Sequence, residues 1–142
     1  MPSFTVRVPD LRASGPVVRA HIGIGSGLEA RLAETGGKIP SPLPAMALVD
    51  TGAARTAVRQ GFALQLGLSP IGVARIRTAG SAPIACLEFY VRLLFSEGVV
   101  WEGRVLELPL RGEEIDCLVG RDFLARTTFL YDGHENQFTL PL

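Results

Sequence analysis

Short apolar runs rich in Val, Ile, Leu and Phe recur along the chain, and glycines and prolines punctuate them. That is the texture of a mainly β domain with room for one or two short helices. Phe4 to Val8 alternates Phe and Val with Thr and Arg and predicts a first strand, ended by Pro9-Asp10; after Gly15-Pro16, Val17 to Ile24 alternates again and predicts a second. Leu28 to Glu34 fits a helical turn or a strand, and Gly36-Gly37-Lys38 predicts a turn. Pro40-Ser41-Pro42-Leu43-Pro44 predicts extended chain, because each proline pushes its predecessor out of the helical region. Ala45 to Val49 then forms an apolar strand that delivers Asp50. Val58, Phe62 and Leu66 recur in steps of four and predict a short amphipathic helix closed by Gly67. Val73 to Arg77 and Pro83 to Phe95 read as a hairpin with the small-residue tip Thr78-Ala79-Gly80-Ser81. Val99 to Leu108 is a further strand. Ile115 to Gly120 is an apolar strand ending on glycine, Arg121 to Ala125 suits a short docked helix, and Phe129 to Leu140 closes the chain as a hairpin.

Composition narrows the picture. A chain of 142 residues with 47% hydrophobic content suffices for one domain spanning residues 1–142. Fourteen Lys and Arg balance fourteen Asp and Glu, and the basic residues form no stripe, so nucleic acid is not the expected partner. Cys86 and Cys117 lack metal-type spacing and flanking His, which argues against zinc. A disulfide between them is unforced, and reduced buried thiols are expected. The N-terminal residues lack a signal-type apolar core, and no stretch reaches the roughly 20 apolar residues of a membrane helix. The expectation is a soluble, cytoplasmic, untargeted chain. Gly23-Ile24-Gly25-Ser26-Gly27 has its third glycine one place too early for a dinucleotide loop, and no lysine follows for a phosphate loop.

The stretch that carries chemistry is Ala47-Leu48-Val49-Asp50-Thr51-Gly52-Ala53. A carboxylate just past a buried strand needs a reason, since Asp is almost never buried unpaired. Its side chain either accepts turn N–H groups, as Asp does in many loops, or serves a site. Other candidates are weaker. His21 reads as a half-exposed strand residue with no nucleophile, and His134 as a solvated turn residue. Trp101 and Phe89 read as core or pocket wall, and Asp122 as a helix cap or arginine partner. No Gly-x-Ser-x-Gly elbow appears.

An apolar strand into Asp-Thr-Gly-Ala, a later hairpin tipped with small residues, and an apolar pair followed by Gly-Arg-Asp-Phe-Leu together resemble the retropepsin-like aspartic proteases, over roughly residues 17–142. The resemblance implies a closed, mostly antiparallel, barrel-like β fold and a metal-free, cofactor-free endopeptidase assembled as a homodimer on a peptide or protein substrate. Two carboxylates sharing one proton supply both the base and the acid that peptide hydrolysis needs. This chain has a single Asp-Thr-Gly and no Asp-Ser-Gly, so the second carboxylate must come from another copy across a two-fold axis. By resemblance Asp50 is catalytic, Thr51 braces the paired loops, Gly52 offers backbone to substrate, and Ala53 lines the pocket. Thr78, Ala79, Gly80 and Ser81 form the flap, and Leu118, Val119, Gly120 and Arg121 support the site. Two positions depart from the retroviral pattern. The acid that pairs there with the Gly-Arg arginine is Ala54 here, followed by Arg55, so Arg121 must find Asp122 or another carboxylate; and the flap tip has Gly80 alone. These departures keep open a domain retained for dimerisation or peptide binding without turnover. The apolar tail Gln137 to Leu142 suits a partner-interleaved terminus.

Overall fold

The computed structural model describes residues 2–77, 82–110 and 114–141. Its ten strands are β1 (Ser3–Arg7), β2 (Val17–Ile24), β3 (Leu43–Val49), β4 (Ala57–Arg59), β5 (Gly72–Ile76), β6 (Ile84–Leu94), β7 (Val100–Leu108), β8 (Cys117–Val119), β9 (Leu130–Asp132) and β10 (Gln137–Pro141). Helical segments are α1 (Leu11–Ser14), α2 (Ser26–Thr35), α3 (Phe62–Gln65) and α4 (Arg121–Leu124). Among the described residues no helix is long and apolar enough to cross a membrane.

Strands run β2-β3-β8-β4-β7-β6, and β2 also pairs with β6, which closes a six-stranded barrel. Closure removes the open edges that a sheet would otherwise expose. β5 hangs on the outer side of β6. Most pairs are antiparallel, but β3–β8 and β4–β7 are parallel. The alternation in β2 and β3 sends Val18, Ala20, Ile22, Ala45, Ala47 and Val49 into the barrel, where they meet Val58, Val91, Leu93, Val105 and Val119. A separate sheet, β1-β10-β9, packs Phe4, Phe138 and Leu140 onto the same core. Phe123 of α4 is fully buried and joins the two parts, with its ring 5.6 Å from Phe95 and 5.7 Å from Trp101. Burying such a ring stabilises the fold by about 1.5–3 kcal/mol.

Two expectations are corrected. The predicted helix around Val58, Phe62 and Leu66 is a strand followed by a short helix. Val58 is held in register with Cys117 and Glu107 on the two neighbouring strands, and Gly61 turns the chain at φ 104° before α3 begins. Val58 and Leu66 still go inside, but from different elements. The tail does not await a partner: β10 is the central strand of its sheet, bonded on both sides by β1 and β9 of its own chain. The Leu28 to Glu34 segment, legible either way, is helical within α2.

Candidate active site

The parallel register sets Ala47 beside Cys117, Leu48 beside Leu118 and Val49 beside Val119, so the chain leaves both strands at one end of the barrel. Asp50 and Gly120 are the next residues. The Asp50 N–H donates to the Val119 carbonyl at 2.9 Å, which extends the ladder one step into the turn. The Asp50 side chain then folds back, its Oδ1 accepting the Gly52 N–H at 2.9 Å, while the Asp50 backbone carbonyl accepts the Ala53 N–H at 3.2 Å. One carboxylate oxygen is thereby fixed by the turn. Asp50 and Ala53 are half-buried, whereas Thr51 and Gly52 are exposed. Among the described residues the Thr51 hydroxyl has no hydrogen-bond partner.

A buried network ties this turn to the loop after β8. Asp122 accepts the Thr56 N–H at 3.0 Å, the Thr56 hydroxyl at 2.6 Å and the Phe123 N–H at 2.8 Å. The Thr56 hydroxyl in turn accepts the Gly120 N–H at 3.1 Å. Thr56 is fully buried and Asp122 half-buried, so at the Thr56 end, and above all in its bond to the buried Gly120 N–H, an unmade partner is costly. Gly120 is the one residue that fits here: a Cβ would lie 2.5 Å from the Arg55 carbonyl carbon and 2.9 Å from the Thr56 nitrogen. Arg121 closes the arrangement by donating its N–H to the Ala53 carbonyl at 2.9 Å and its Nη1 to the Thr51 carbonyl at 2.7 Å.

This resolves where Arg121 binds. Its partner is the backbone of the Asp50 turn, while Asp122, expected as a helix cap or arginine partner, sits in the first turn of α4 behind the N-cap Gly120 and serves Thr56 and the Phe123 N–H. Leu118 and Val119 pair with Leu48 and Val49, and Gly120 follows them beside Asp50. The expected flap residues Thr78, Ala79, Gly80 and Ser81 lie outside the described residues. A cavity of about 460 Å³ opens beside the turn, lined among others by Gly52, Ala53, Ala54, Arg55, Ile76 and Arg121.

The remaining candidates sit elsewhere. His21 is exposed on β2 opposite Pro44 and Leu94, and His134 is exposed in the β9–β10 turn. Asp116 accepts the Met46 N–H at 2.9 Å and the Arg59 Nε at 3.2 Å, so it fastens β3 rather than reacting. Trp101 and Phe89 are core residues. Both cysteines are free and buried. Burial, then the charges of Asp116 and Asp122, push the Cys117 thiol up to about 12, and burial also raises Cys86. Among the described residues no cluster of His, Cys, Asp and Glu could hold a metal ion.

Sequence reading missed Thr56 and two arginines that line the cavity, Arg75 and Arg77. A hydroxyl at the head of the apolar Ala57-Val58 pair was the available sign for Thr56, since such a residue goes inside only when it is hydrogen-bonded. Arg75 and Arg77 fall in the run Val73 to Arg77, which predicts only one strand of a hairpin, and their place beside the cavity depends on β5 pairing along β6.

A family model described as aspartyl protease matches residues 33–123. No curated protein matches the sequence. A solved structure, a retropepsin-like aspartic protease from Rickettsia conorii, superposes with a TM-score of 0.59 at 15% identity, covering 97% of this chain and 90% of that one.

Proposed function

The chain belongs to the aspartyl protease family and has a retropepsin-like fold, and from that premise we propose that it hydrolyses peptide bonds through a dyad of Asp50 and Asp50 of the partner subunit. The observation that carries the reading is the Asp50 turn itself. A carboxylate is held at the end of the barrel by the Gly52 N–H, on a turn locked from behind by Arg121, in a chain with one Asp-Thr-Gly. Half a site implies a second copy, and a two-fold axis sets each Asp50 against its equivalent. The exposed Thr51, with its hydroxyl unpartnered among the described residues, is suited to brace the opposite loop.

In the proposed reaction two carboxyl groups held close share one proton, because both cannot ionise together. The ionised member takes a proton from water as the water oxygen attacks the carbonyl carbon, while the protonated member gives its proton to the carbonyl oxygen. The resulting gem-diol then collapses. Its C–N bond breaks, the nitrogen leaves with a proton from one carboxyl, and a diol proton returns to the dyad. Gly52 offers backbone to the substrate, and Ala53 lines the pocket. Activity therefore falls where both carboxyls are protonated and again where both are ionised.

Asp50→Asn tests the reading. Cleavage should drop by on the order of 10³-fold while sedimentation still shows a dimer. An Asp50→Asn protein that cuts as well as wild type overturns it. A second reading, a dimer that binds peptide without turnover, rests on Arg121 holding a backbone carbonyl where retroviral members hold an acid. A dimer that leaves a broad peptide library uncut at every pH from about 4 to 8 would favour that reading.

A further inference from the structure

The cavity beside the Asp50 turn has a charge asymmetry of which the fold uses only half. Four of its twelve lining residues are arginines, Arg55, Arg75, Arg77 and Arg121, and none is acidic. Below them the wall is apolar: Ile76, Leu106, Leu108 and Leu118 pack in one small cluster with Ala57 and Cys86. Two of the four cations are engaged. Arg55 Nη2 donates to the Glu88 carboxylate at 2.6 Å, and Arg121 holds the Thr51 carbonyl. Arg75, within β5, and Arg77, one residue past its end, are exposed and make no hydrogen bond or ion pair among the described residues.

Guanidinium is the side chain best matched to a carboxylate, since it offers two parallel N–H donors to two oxygens. A cleft lined by charges of one sign focuses their field on what enters it, and a single buried Glu88 offsets only one of the four. Resting on the reading that Asp50 cuts peptides, we propose that this cleft is a substrate subsite for an acidic side chain in the segment bound beside the dyad. Glutamate suits it better than aspartate. Its methylenes reach along the apolar wall while its carboxylate meets Arg75 and Arg77 at the rim. The chain is electrically balanced as a whole, so the preference comes from this one cleft and not from overall attraction to acidic substrates.

Two arms test this, and they separate it from the dyad reading. In the first, wild-type protein cleaves decapeptide mixtures carrying one fixed glutamate, scanned across the positions, and the matching mixtures carrying glutamine. In the second, Asp50→Asn protein binds the same mixtures with a fluorescein label, followed by anisotropy, so that no turnover is needed. At one register the glutamate mixture should be preferred about tenfold in both arms, in line with a charge-assisted hydrogen bond. The preference should shrink as salt rises. Arg75→Ala/Arg77→Ala should bring the ratio to within about twofold while leaving the thermal midpoint unchanged, as both residues are exposed. Equal binding of glutamate and glutamine mixtures at every register, or a ratio that the double variant leaves intact, overturns the subsite. Absence of cleavage with a retained binding preference would overturn the dyad reading and keep the subsite.

Discussion

Replacing Thr56 by valine keeps the side-chain volume and removes one hydroxyl from behind the Asp50 turn. That hydroxyl donates to Asp122 at 2.6 Å and accepts from the Gly120 N–H at 3.1 Å. Losing a hydrogen bond to a charged group costs about 1.5–3 kcal/mol, and a buried N–H left without a partner costs about 1–3 kcal/mol more. The added methyl returns about 0.8 kcal/mol of apolar burial. Asp122 keeps the Thr56 and Phe123 N–H groups, so its charge is not stranded. The net expectation is a loss of about 3 kcal/mol. Urea unfolding at fixed protomer concentration measures it, as a lower midpoint with an unchanged m-value; in a thermal scan the loss corresponds to about 10 °C. Thr56→Ser keeps both bonds and should stay within about 1 kcal/mol of wild type. A double-mutant cycle with Asp122→Asn should show coupling of at least about 1 kcal/mol. If Thr56→Val costs less than about 1 kcal/mol, or Thr56→Ser costs as much as Thr56→Val, the network does not hold the two loops as argued.

Gly120→Ala drives a methyl group into the Arg55 and Thr56 backbone, which has no side chain to swing aside, and should cost about 3 kcal/mol; a thermal midpoint within about 2 °C of wild type would show that the loops can part freely. Cys117 keeps its proton in the folded chain up to about 12, while the unfolded thiol ionises near its ordinary 9.0. Between those values the unfolded state binds fewer protons. Stability therefore falls as pH rises above about 9, by up to ~1.4 kcal/mol per unit, and the thiol adds no slope below. Cys117→Ala should remove that part of the alkaline slope, read as the difference between the two proteins in urea unfolding across about pH 8 to 10.5; parallel slopes would refute the assignment.

The strands were legible where one face is buried, because alternation records burial directly. Val17 to Ile24 is β2 to the residue, and the Ala45 to Val49 run lies within β3. The pattern failed at 56–67, where apolar residues four apart look helical although the backbone of Val58 is claimed by two neighbouring strands. Hydrogen bonds to distant strands leave no trace in local periodicity. The tail misled for a related reason: an apolar strand reads the same whether its partner is another subunit or the chain's own first strand.

For the site, the residue order by itself determined that Asp50 ends an apolar strand, that Gly52 stands two residues on, and that Asp-Thr-Gly occurs once. Those facts are local and chemical. Only the folded chain decided that Gly120 must be glycine, that Arg121 grips the Thr51 carbonyl, that Thr56 carries the link to Asp122, and that Arg75 and Arg77 reach the cavity beside the turn. Each of these joins residues far apart in sequence, through the parallel pairing of β3 with β8 or the folding of β5 along β6. A sequence states which groups exist, whereas closure of the barrel decides which of them are forced out of water together and must satisfy one another.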